Sequence, residues 1–152
     1  MEITTFGELI EWTREQHSSL ARCLDHYAAR HEDERSRGLL AYLARHESEI
    51  EWMVADFKRQ GDEKALNTTL YDYLSSPSHH AQSPCGKHFL ELDFDGICRE
   101  VLDFHNDVIQ LYQLLLRKAL IPEVEELISP LLEMERSQAK LMAQQVVLMT
   151  DL

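Results

Sequence analysis

The chain has 152 residues, enough for one domain that buries roughly 70% of the surface its unfolded form exposes. A formal net charge of −12 and a pI near 5.0 exclude nucleic acid and anionic membrane surfaces as natural partners, because both attract basic faces. Only five Gly and four Pro, set against abundant Leu, Glu and Ala, favour an all-α class.

A first helix is predicted from about Thr5 to about Arg30, capped by Thr4 or Thr5 with Glu8 in the first turn. Its apolar stripe runs Phe6, Ile10, Thr13, His17, Leu20, Leu24 and Tyr27, and a histidine takes the central step. After the charged turn His31–Glu34, with Asp33 as a cap, a second helix reaches about Arg59 or Gln60 and stops at Gly61. Its stripe is Leu39, Leu43, His46, Ile50, Met53 and Phe57. So short a link makes the pair an antiparallel hairpin.

Residues 61–95 are irregular. Leu66–Leu74 could form a short helix, and Ser75–Gly86 has loop composition. In a helical bundle so long a connection implies a crossover, with the next helix parallel to the last. A third helix then runs from Asp93–Gly96 to about Leu120 on the stripe Phe94, Cys98, Val101, His105, Val108, Tyr112, Leu115 and Ala119. Ile121–Pro122 opens the last helix, whose stripe is Ile128, Leu131, Glu135, Gln138, Met142, Gln145 and Met149. Pro130 should kink or split it near Ser129. The expected fold is a single four-helix bundle, two antiparallel hairpins joined by a long crossover.

Cys23, Cys85 and Cys98 are odd in number and form no Cys-x-x-Cys pair, so reduced thiols are expected. The N-terminus lacks a basic region and a long apolar run, and no stretch approaches a membrane span. A soluble, cytoplasmic protein is the expectation.

Counting from the hairpin turns, His17 and His46 lie about 15 residues before and about 14 after the first, and His105 and Glu135 bear the same relation to the second. Each pair should therefore sit at equal height on antiparallel neighbours. If the crossover aligns the hairpins, three imidazoles and a carboxylate meet at mid-bundle, a donor set that suits Fe, Mn or Zn, as one or two ions. Glu47 and Glu49 flank His46 as further ligands or as acceptors for an imidazole N–H. Tyr27 and Tyr112 read as core filling, and Gln138 and Gln145 as partners for a ligand, water or each other. His79, His80, Cys85 and His88 in the crossover make only a weak zinc pattern.

With these residues in place, the chain resembles the ferritin-like superfamily in the rubrerythrin manner. That family carries a Glu on each of two helices and Glu-x-x-His on each of the other two. Leu43–Ile50 is similar to the second-helix motif, with Glu47 on the family Glu and Ile50 where its His stands. Glu135–Gln138 matches the fourth-helix motif with Gln for His, Val101–His105 resembles the third-helix segment with His for Glu, and His17 lies about where the first-helix Glu would be. The resemblance implies a mid-bundle metal site, an oxidoreductase acting on oxygen or peroxide or a protein handling iron, and pairing of bundle faces into a homodimer. A second resemblance is to hemerythrin/HHE domains, through Trp12–His17 and Leu43–Glu47, although Ile50 stands where that family has Glu. The competing reading from another class is a metal-free or structurally metallated bundle for dimerisation or partner binding, its polar layer fixing helix register.

Overall fold

Side-chain caps set where the helices begin. In the computed structural model, which describes residues 3–70, 82–118 and 121–150, Thr5 accepts from the Glu8 N–H and starts α1 (Phe6–Ala28). Asp33 accepts from the Ser36 N–H and starts α2 (Glu34–Gln60), which ends at Gly61. Asp62 caps a single turn, α3 (Glu63–Leu66), and Asp93 caps α4 (Phe94–Arg117). The last helix, α5, spans Pro122–Thr150. Among the described residues the chain is all-α and forms a four-helix bundle, α1 paired with α2 and α4 with α5.

The described parts of the crossover, 61–70 and 82–93, reach both ends of the bundle. At one end, Leu70 N–H donates to Thr4 O and Phe6 N–H to Thr68 O, which ties residues 68–70 to the start of α1. Gly7 allows this approach, since a Cβ there would meet the Leu66 carbonyl oxygen at 3.1 Å. The returning strand then climbs α1. Ser83 N–H donates to Gln16 Oε1 (2.8 Å), Cys85 is bonded to Cys23, and His31 Nε2–H donates to Leu92 O (2.9 Å) at the far end. A 3-10 turn, Lys87–Leu90, sends Phe89 into the core beside Tyr27. The α4 helix therefore starts where α2 starts and runs parallel to it. Of the predicted helix Leu66–Leu74, residues 66–70 close α3 and bridge to α1, while 71–74 lie outside the described residues; so do His79, His80 and Ala119.

Two expectations are corrected. The Cys23–Cys85 disulfide replaces the expected reduced thiols, because the climbing crossover brings residue 85 beside residue 23, with Cα atoms 5.9 Å apart; Cys98 stays free and buried. The α5 helix is not split at Pro130. That residue is exposed, so solvent can satisfy the Glu126 carbonyl left without its helical donor. No helix among the described residues is long and apolar enough to cross a membrane.

The core is a column of fully buried Leu, Ile, Val and Phe from all four long helices, among them Leu9, Leu20, Leu43, Ile50, Val108 and Leu131. A polar layer crosses it at mid-height.

Candidate metal centre

Each long helix contributes one fully buried polar side chain to that layer: His17 from α1, Glu47 from α2, His105 from α4 and Glu135 from α5. The equal-height arithmetic of the two hairpins explains why they meet. His17 lies between the two acids, with Nδ1 2.6 Å from Glu47 Oε2 and Nε2 2.8 Å from Glu135 Oε1. With a carboxylate oxygen facing each ring nitrogen, the arrangement suits the imidazolium form of His17, which donates on both sides. His105 Nε2–H donates to the other oxygen, Glu47 Oε1. Glu47 is thus shared by two imidazoles.

Burial works against charge on His17, but the Glu135 and Glu47 carboxylates more than offset it and raise the ring to about 10. Burial likewise opposes charge on Glu47, yet His105 and His17 hold its carboxyl well below the usual carboxylate range. Phe104 stands edge-on to His17 and to His105, with centroids 5.2 and 5.7 Å away, and walls one side. Tyr112, fully buried, has its phenol pushed up by burial and then by Glu135; its hydroxyl lies near Thr13 without a hydrogen bond of normal geometry.

Three of these side chains, His17, Glu47 and His105, each offer a donor atom within 4.8 Å of the others. Glu135 Oε2 and His105 Nδ1 are buried with no hydrogen-bond partner. Neutral imidazole nitrogens, carboxylate oxygens and unused buried lone pairs are what a borderline divalent ion binds. The set fits a metal ion that displaces one proton from His17.

Of the sequence candidates, His17, His105, Glu135 and Glu47 are brought together. His46 is buried but stands to one side, its Nε2–H donating to Gln138 Oε1 (3.0 Å), its ring 6.3 Å from that of His105; burial pushes its pKa down. Glu47 rather than His46 occupies the centre. Glu49 is exposed: two residues on from Glu47, it points about 200° around the helix. Gln145 is half-buried, while Cys85 and His88 are exposed, Cys85 being consumed by the disulfide. Sequence reasoning passed over Phe104 as a site wall, and only its position beside His105 could have signalled it.

No family model matches the chain, and no curated protein matches it. Among solved structures, a protein of Thermotoga maritima provisionally described as a ferritin-like diiron-carboxylate protein aligns with a TM-score of 0.61, over 96% of this chain and 97% of that one, at 11% identity. The chain has a ferritin-like fold. The long crossover also sets it apart from the hemerythrin-like alternative, which needs a short second connection.

Proposed function

We propose that this is a metal-binding ferritin-like protein whose mid-bundle cluster holds one transition-metal ion, with iron the first choice and Mn or Zn the others. It acts as an oxidoreductase on oxygen or peroxide, or handles iron. The observation that carries this reading is the convergence of His17, Glu47, His105 and Glu135, one from each long helix and all fully buried. Two carboxylates balance the charge of one divalent cation, whereas the family's paired-ion motif uses more acids and two complete Glu-x-x-His sequences. Here Ile50 and Gln138 stand in the two histidine places. The diiron-carboxylate description of the Thermotoga protein supports iron as the ion.

A bound redox-capable ion would exchange electrons with a small oxidant. The chain's own residues hold and shield it. Glu47 and Glu135 supply the anionic oxygens, and His17 and His105 supply nitrogens on opposite sides of Glu47. To ligate an ion His17 would give up one of its two N–H protons, since a ligating imidazole must offer a lone pair. Phe104 keeps the two imidazoles at fixed angles, and Leu43 and Ile50, a turn either side of the site on α2, exclude bulk water.

Elemental analysis of protein purified without chelator tests this directly. About one equivalent of Fe or Mn, lost in Glu47→Gln, is the expected result. A change in the visible spectrum on adding peroxide supports the redox role, while stoichiometric Zn and an unresponsive spectrum reduce the site to a structural one. Protein that retains no metal and takes up none leaves the second reading, a polar layer that fixes register. One observation favours that reading: the imidazolium of His17 already pairs with both carboxylates.

A further inference from the structure

The central cluster leaves one buried imidazole unexplained. His46 is 4% exposed, and because its Nε2–H donates to Gln138 Oε1, the lone pair sits on Nδ1, which has no partner. An unsatisfied buried nitrogen costs the fold stability, so its presence calls for a use. His105 is in the same condition. Its Nε2–H is given to Glu47, and its Nδ1 lone pair is free. The two rings are nearly parallel, 23° between planes and 6.3 Å between centroids. On the outer side the Tyr42 ring stacks on His46 at 6.0 Å and 8°, and Tyr42 is half-exposed. Glu49, exposed one turn further along α2, acts electrostatically on both Tyr42 and His46. A series of groups thus leads inward from the seam between α2 and α5: the Glu49 carboxylate, then His46, then His105.

We propose that His46 is a transit ligand, which takes a divalent transition-metal ion at the α2–α5 seam and passes it to the His17–Glu47–His105–Glu135 centre. This rests on the metal-binding reading above. His46 stands outside the resident set, for it bonds Gln138, whereas His17 bonds both Glu47 and Glu135 and His105 bonds Glu47. A neutral imidazole suits the task. It replaces part of an ion's hydration shell without adding charge, so the ion moves on toward two carboxylates down a favourable electrostatic gradient. Glu49 raises the local cation concentration at the entrance. Gln138 fixes the tautomer that leaves Nδ1 free.

Co(II) is the probe, added to chelator-stripped protein while the growth of its visible ligand-field absorbance is followed in time. His46→Gln is expected to slow loading about tenfold while reaching the wild-type end-point and stoichiometry. Gln138→Leu, at a half-buried position, slows it in the same direction, and Glu49→Gln slows it at low salt only. Wild-type rates in both His46→Gln and Gln138→Leu overturn the transit role and leave the centre intact, with the Nδ1 lone pair serving water. A reduced end-point in His46→Gln overturns it differently, by making His46 a resident ligand. A wild-type protein that takes up no Co(II) overturns the metal centre and the route together.

Discussion

At the scale of single residues, Glu47 has the most consequences. It is fully buried and receives hydrogen bonds from two imidazoles. Replacing it with Ala strands those rings, and removing one partner of a buried ion pair typically costs about 3–5 kcal/mol. We expect the urea midpoint of Glu47→Ala to fall by a corresponding amount, far more than that of an exposed control such as Glu49→Ala. The same groups set the pH response of the metal-stripped protein. His17 is raised from its ordinary 6.5 to about 10, so its contribution is complete below about 6.5 and disappears as pH climbs through about 10. Glu47 is lowered from its ordinary 4.5, so its contribution is complete above about 4.5 and is lost as the solution is acidified. Urea unfolding of stripped protein should therefore be most resistant between about pH 4.5 and 6.5, and a maximum near pH 9 would contradict the His17 pairing.

At the scale of helices, the sequence carried the hairpins, the crossover and three of the four central residues, because each of His17, His105 and Glu135 interrupts an otherwise apolar stripe. The fourth was ambiguous for a geometric reason. On α2 the series Leu43, His46, Ile50, Met53 and the series Leu43, Glu47, Ile50, Val54 fit a helical period equally well. Packing chooses the second, since Val54 is fully buried and Met53 only half. Both His46 and Glu47 are buried because the inward face of α2 is wide at that height. Of the kink or split expected at Pro130, the split does not occur, since sequence does not say which side of a helix meets water. The caps were legible, and they act locally. Thr5→Ala removes the acceptor for the Glu8 N–H and should lower unfolding free energy by about 1 kcal/mol, with metal content unchanged. Parallel loss of metal would show that the start of α1 positions the site from three turns away.

For the whole molecule, the disulfide is the feature least visible beforehand, since nothing in a separation of 62 residues suggests contact. Closing so large a loop restricts the unfolded chain by roughly 4 kcal/mol in the entropic account. Reduction should lower the melting temperature markedly while leaving helix content intact at room temperature, as circular dichroism with and without a dithiol would show. Thiol titration in denaturant should count one reactive group before reduction, Cys98, and three after it. The bond also makes the polypeptide a lariat. The last quarter of α1, all of α2 and most of the crossover form a ring, from which the start of α1 hangs on one side and the α4–α5 hairpin on the other. A protease that nicks the ring once opens it without shedding a fragment, so a gel run without reductant would show a single intact mass. The same nick made beyond residue 85 would release its piece at once.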